Sequence, residues 1–187
     1  MINKTVSFIS EQLNHSLQLR FSKDESLVVG SGLTEAGGGF PDAISERVVI
    51  TLINIEHEHS IVTGSPRMQT SHEGFARTTA PLHLNLLLLL SASFKHYPTS
   101  LEYLSAVLGF FQAHPLFTAE ASQNFPSGLE QLAFDPVNLD LQALSNVWSV
   151  VGGRHLPSVM YKARLMTTQD AWVLNQVPEI KGVDTKL

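Results

Sequence analysis

The segment PLHLNLLLLLSASF, residues 81–94, limits the fold more than any other part of the chain. It begins with His83 and Asn85 alternating with leucines and continues as an unbroken apolar run, which predicts a strand buried in a sheet. The next segment, HYPTSLEYLSAVLGFFQAHP, changes to helical spacing, and Thr99 and Glu102 have the spacing of a capping box at its start. The apolar stripe predicted for this helix consists of Leu101, Leu104, Leu108 and Phe111.

Segments before and after this strand and helix in the sequence predict further helices and strands. The first helix is expected to pack through Ile2, Val6, Ile9, Leu13 and Leu17, with Phe8 widening the stripe. Strands are predicted at SLVVG, at residues 48–55 with both faces buried, at LEQLAF with a break at Asp135-Pro136, and at residues 157–166. A last helix carries Leu141, Leu144, Trp148 and Val151 and ends at Gly152-Gly153.

The order of these segments predicts an α+β fold with a mixed, mainly antiparallel sheet flanked by helices. Residues 63–79 have no apolar period and are expected to form a long polar loop. We expect residues 1–167 to form the domain and residues 168–187 to form a C-terminal arm, with a short strand at residues 177–180.

Charged residues make up only 16% of the chain, whereas roughly a quarter is usual. This deficit indicates either a subunit whose surface is buried in an assembly or an ordinary domain with a polar uncharged surface. Residues 151–187 carry five basic and three acidic residues, too few positive charges for a nucleic-acid-binding face. An acidic protein surface is the more plausible partner.

The composition also limits the chemistry and the location of the chain. The chain has no cysteine, so disulfides and thiolate metal sites are excluded. The apolar run at residues 86–90 is far shorter than the roughly 20 residues that span a bilayer, and the N-terminal segment lacks the features of a secretory signal. We expect a protein made in the cytoplasm, with no membrane partner.

One triplet has the residue types of a metal site. His57, Glu58 and His59 end a predicted strand, where the two imidazoles would project to the same face. Two such ligands do not make a site, and polar residues at a strand end are the more common explanation.

Other catalytic and nucleotide-binding motifs are also missing from the sequence. The glycines between residues 30 and 39 lack the phosphate-loop pattern, and the GxSxG motif of hydrolases is absent. We therefore predict no catalytic, cofactor-binding or metal-binding residues; the alternative is a small-molecule-binding or metal-dependent enzyme domain with a His and carboxylate cleft.

Three residues are predicted to bind a partner. In the strand at residues 157–166, Lys162 and Arg164 lie on the polar face, opposite an apolar face. Trp172 belongs to the arm, and aromatic residues are enriched at interfaces. The arm is expected to pack on a neighbouring subunit or on the tube; the alternative is that it folds back on its own domain. His83 and Asn85 are predicted to lie on the solvent side of a half-covered strand rather than to form a buried hydrogen-bonded pair.

The chain resembles a known family in three of these stretches: residues 81–94, 100–117 and 139–165. The resemblance is to the N-terminal domain of the cap, or tube-terminator, proteins of extracellular contractile injection systems, which are phage-tail-like particles of bacteria. The matching residues are Leu82, Leu84, Asn85, Phe110, Phe111, Gln112, Pro115, Leu144, Trp148, Pro157, Ser158, Val159, Tyr161, Lys162 and Arg164.

This resemblance implies a fold like that of phage tail terminators and a homohexameric ring on the distal end of the inner tube. It also implies contact with the last sheath ring, no enzyme activity and no cofactor. The protein would then assemble in the cytoplasm and become part of a released or extracellular particle. The partners implied are the inner tube protein and the sheath protein, with no nucleic acid and no membrane.

Overall fold

The computed structural model describes residues 1–35, 37–58, 68–71, 74–78, 83–152, 154–167 and 173–178, with the backbone alone for 68–71, 74–78 and 173–178. Three helices are α1 (Ile2–Phe21), α2 (Tyr97–Ala113) and α3 (Leu141–Val151). The strands are β1 (Val28–Gly30), β2 (Arg47–His57), β3 (Met68–Ser71), β4 (Gly74–Thr78), β5 (His83–Ser93), β6 (Leu116–Thr118), β7 (Leu129–Val137), β8 (Ser158–Thr167) and β9 (Val173–Pro178).

Six strands form the main sheet in the order β1-β2-β5-β8-β7-β6. The pair β1 and β2 is parallel, and every other neighbouring pair is antiparallel. Helices α1 and α2 cover one face, while α3 covers part of the other. The predicted class, a mixed and mainly antiparallel sheet flanked by helices, is therefore confirmed.

The larger hydrophobic core lies between this sheet and the pair α1 and α2. The apolar run of β5 supplies Leu86, Leu88 and Leu90 to it, whereas Leu89 points to the opposite face and joins a smaller core under α3. An apolar run without alternation is what a strand covered on both faces requires. The predicted packing face of α1 is also confirmed, since Phe8, Ile9, Leu13 and Leu17 are buried.

The predicted stripe on α2 is wrong. Leu101 and Leu108 are 41% and 44% exposed, and of the four predicted residues only Phe111 is fully buried. The buried face consists of Ser100, Tyr103, Ala106, Val107, Phe110 and Phe111. Tyr103, Phe110 and Phe111 determine which face of α2 turns toward the core, because each aromatic side chain buries more apolar surface than a leucine does.

The start of α2 also differs from the predicted capping box. His96 is the N-cap without a side-chain capping bond, and Pro98 lies in the first turn, so Thr99 and Glu102 are already helical. A proline in the first turn has the helical φ preset and loses no hydrogen bond there, and the N-cap therefore lies at His96, three residues before Thr99. The end of α3 at Gly152 is as predicted, with a φ of 72°.

Two strand predictions need correction. In β2, Val48 to Thr51 are buried, but Leu52, Asn54 and Ile55, on either side of a bulge, are exposed, so only the first half is covered on both faces. The strand β7 continues through Asp135-Pro136 instead of ending there. Its outer neighbour β6 pairs only with residues 131–133, so β7 is an edge of the described sheet at Pro136, where a missing N–H is tolerated.

The segment at residues 63–79, predicted as a loop, contains the antiparallel pair β3 and β4. The arm strand β9 pairs with β4, which completes a second sheet in the order β3-β4-β9. The strand predicted in the arm at residues 177–180 overlaps β9 only at Val177 and Pro178, since β9 begins at Val173 and residues 179 and 180 lie outside the described residues. The strand order of this sheet matches the order β2-β5-β8 in the main sheet. Along the chain, β3 comes directly after β2, β4 directly before β5, and β9 directly after β8.

Candidate functional site

Lys162 and Arg164 lie on β8, on the sheet face that α3 leaves uncovered at this end. The Lys162 Nζ is 3.1 Å from the Glu56 Oε2, and the Arg164 Nη2 is 2.7 Å from the Asp135 Oδ2. The two acids belong to β2 and β7, which lie on opposite sides of the β5-β8 pair. Both predicted partner-binding cations thus have an acidic neighbour within the chain.

The two ion pairs offset the positive charge that Lys162 and Arg164 give to this face of the sheet. The strand β8 alone presents a basic face, but the sheet places a carboxylate beside each cation. All four side chains are between 35% and 53% exposed, and exposed pairs contribute only about 0–1 kcal/mol each. The cations therefore remain accessible to a partner, and their role in partner binding remains a prediction.

The burial of His83 and Asn85 contradicts the solvent-facing interpretation. The two side chains are 7% and 4% exposed, and the Asn85 Nδ2 donates to the Glu58 Oε2 at 2.8 Å. The His83 Nδ1 has no hydrogen-bond partner in the described part of the chain. Both residues line a cleft of about 190 Å³ that Arg164 borders. Although α3 leaves this end of the face open, side chains of β7, of β8 and of Glu58 enclose the two residues, which alternation alone could not show.

The metal-site alternative gains no support. His57 and Glu58 lie at the end of β2, whereas His59 lies outside the described residues. Within the described ranges, no group of three or more His, Asp or Glu side chains is arranged to hold a metal ion. Trp172, the third predicted partner-binding residue, also lies outside those ranges.

Tyr161 belongs to the larger core, on the face of β8 opposite that of the two cations. Its ring packs against Phe111 with 4.5 Å between the ring centroids, and burial raises the pKa of its hydroxyl above the ordinary value. The neutral phenol therefore persists at any physiological pH. Because neighbouring residues of a strand point to opposite faces, Tyr161 fixes Lys162 on the uncovered side.

Two helix surfaces away from this cleft carry apolar side chains with little charge. On α2, a surface that we name the α2 ridge consists of Tyr97, Leu101, Leu104 and Leu108. A concavity of about 570 Å³ on α3, which we name the α3 groove, is lined by Leu141, Leu144, Ser145, Trp148, Ser149, Gly152 and His155. No residue of α3 is charged. These surfaces lie on opposite faces of the main sheet.

The fold is that of the tube-terminating caps of contractile injection systems. One similar structure is the sheath/tube terminator of the extracellular contractile injection system PVC in its extended state, with 13% identity and a TM-score of 0.57. The alignment covers 96% of this chain and 62% of that chain. Another is the tube-terminating cap of the anti-feeding prophage, with 14% identity, a TM-score of 0.55 and coverage of 94% and 60%. The chain thus spans about three fifths of the length of these proteins.

The chain belongs to the family described as the Pvc16 N-terminal domain, whose sequence profile matches residues 5–180. This match confirms the resemblance deduced from the sequence. No curated protein sequence matches the chain.

Proposed function

We propose that this chain is a structural cap, or tail terminator, of a contractile injection system. Six copies form a ring on the distal end of the inner tube, end its growth and contact the last sheath ring. The observation that carries the proposal is the family match over residues 5–180, to which the likeness to two tube-terminating caps adds the fold. The role requires no cofactor and no enzyme activity.

Physical reasoning supports this role. The end of a growing tube exposes an interface that would otherwise accept further tube subunits. A terminator binds that interface through one side. Its other side presents a surface to which no further tube subunit can bind. A charged fraction of 16% suits a subunit that buries much of its surface in contacts of this kind.

The cap would assemble in the cytoplasm and leave the cell as part of the particle. Among the helices that the structure describes, none is long and apolar enough to cross a bilayer. The proposed partners are other copies of the chain, the tube protein and the sheath protein.

Ring formation and capping test the proposal directly. Purified protein, mixed with inner tube subunits, is expected to give closed rings of six and tubes with blunt, capped ends in electron micrographs. Tubes grown without it should continue to lengthen. A protein that stays monomeric at high micromolar concentration, and forms no ring on tube ends, would contradict the proposal, and tightly bound metal in elemental analysis would favour the enzyme alternative.

The double variant K162E/R164E is expected to fold but to cap tubes poorly. Breaking two exposed ion pairs and placing like charges near Glu56 and Asp135 costs about 1 kcal/mol. Charge reversal should, however, weaken contact with an acidic neighbour. Urea unfolding measures the first effect, and the fraction of capped tube ends measures the second.

Two matched variants control for net charge and for the internal pairs. K4E/R20E makes the same charge change on α1 and should leave capping unaltered. E56Q/D135N removes the internal acidic partners and should leave capping intact or strengthen it, because both cations become available. If K162E/R164E caps tubes as well as the parent does, the two cations have no part in assembly.

A further inference from the structure

We propose that the ring closes through the α2 ridge of one protomer, which packs into the α3 groove of a second copy of this chain. This inference rests on the proposed function and specifies the surfaces that the ring would use. A cyclic ring needs two different, complementary surfaces on each subunit, because its contacts run head to tail. The α2 ridge and the α3 groove meet this requirement, since they lie on opposite faces of the main sheet.

The α2 ridge has the side-chain spacing of a helix-packing seam. Tyr97, Leu101, Leu104 and Leu108 follow one another at steps of four, three and four residues, the period at which one helix contacts another. Tyr97, Leu101 and Leu108 are 65%, 41% and 44% exposed. Within the chain, the opposite side of α2 already packs on the core, so this flank is available to a neighbour.

The α3 groove has the complementary shape. Leu141 and Trp148 border it, and Ser145, Ser149 and Gly152 are small enough for another helix to approach closely. Leu141 is 86% exposed, and the Trp148 Nε1 has no acceptor in the described part of the chain. Helix α3 carries no charge, and the one titratable side chain that lines the groove is His155, whose ring centroid lies 5.3 Å from that of Trp148.

The two surfaces also match in length and in charge. Tyr97 to Leu108 and Leu141 to Gly152 each span eleven residue steps, or about 16 Å at 1.5 Å per residue. Glu102 is the one charged residue of α2, and it lies outside the ridge spacing. Two apolar surfaces of equal length on opposite faces of one chain suit contact with a second copy, in which the ridge of one meets the groove of the other.

The edges of the main sheet offer a poorer ring contact. The outermost strands of the described sheet, β1 and β6, have three residues each. Short edge strands are a usual device against pairing with another chain, because they present few free backbone groups. Helix packing therefore accounts better for the ring than strand pairing across protomers.

Cysteine cross-linking tests the contact directly, because the chain has no cysteine of its own. In L108C/S149C, one thiol lies on the α2 ridge and the other in the α3 groove. Mild oxidation of rings is expected to give a ladder of covalent oligomers up to the hexamer. The two positions lie on opposite faces of the sheet, so a bond within one chain cannot produce it. L19C/S149C, with a 70% exposed Leu19 on α1, should give no ladder.

Charge substitutions give an independent test. L108E and L141E are each expected to abolish rings, since each blocks one surface, while L19E should form them normally. An equal mixture of L108E and L141E retains one intact contact and should give dimers only. L108E/S149K should restore rings, because opposite charges then meet at the two positions that the cross-link joins. Circular dichroism confirms that each variant is folded.

The outcomes separate this inference from the proposed function. Rings that persist in L108E and L141E, or rings of L108C/S149C that give no ladder, would overturn the contact and leave the cap role standing. A parent protein that forms no ring even on tube ends would overturn both. A ladder together with dimers in the mixture establishes the contact.

Discussion

Replacing Phe111 with alanine is expected to lower the free energy of unfolding by about 3–5 kcal/mol, a large part of the roughly 5–15 kcal/mol typical of a domain. The ring is 3% exposed, and its centroid lies 4.7 Å from that of Phe134 and 4.5 Å from that of Tyr161. It therefore joins α2 to both β7 and β8. Urea unfolding followed by circular dichroism measures the loss.

Leu108→Ala is the matched control on the same helix. Since Leu108 is exposed, its truncation should change the free energy of unfolding by less than about 0.5 kcal/mol when the protein is dilute enough to be monomeric. Equal losses for the two variants would show that the apolar stripe inferred from spacing, rather than the aromatic face, packs on the core.

Deleting the chain from Gln169 onward is expected to leave a folded main domain that no longer caps tubes. Strand β8 pairs with β5 and β7, so the main sheet loses no strand when β9 is removed. The pair β3 and β4, by contrast, would lose its third strand, and an isolated two-stranded hairpin is marginally stable. Circular dichroism and tube length in electron micrographs measure the two effects.

A shorter deletion, of residues 179–187, retains β9 and serves as the control. It is expected to keep the second sheet and to preserve capping if the three-stranded sheet is what matters. A chain truncated at Gln169 that unfolds would place the arm in the core of the domain. One that caps normally would show that the arm is dispensable.

Elements defined by a strong local pattern were predictable from the sequence. The period of α1, the apolar run of β5 and the alternation of β8 each specify an element without knowledge of its neighbours. The rotation of α2 was not predictable from leucine spacing, because the aromatic side chains Tyr103, Phe110 and Phe111 compete for the same core. The pair β3 and β4 was missed since its strands are short and its partner β9 is almost one hundred residues away.

The candidate site was predictable only in part. Alternation placed Lys162 and Arg164 on one polar face, but no local pattern could bring Glu56 or Asp135 beside them, because cross-strand neighbours come from distant parts of the chain. The burial of His83 likewise depends on strands on both sides of β5. The α3 groove had a signal in the sequence, namely an apolar helix without a single charge.

The repeated strand order of the two sheets has a mechanical consequence. The three-stranded sheet is joined to the main sheet by three covalent crossings, from β2 to β3, from β4 to β5 and from β8 to β9, rather than by one linker. A force on the smaller sheet is therefore divided among three adjacent central strands, whose ladders of hydrogen bonds bear it together. Attachment at three points in parallel resists separation of the two sheets better than a single linker would.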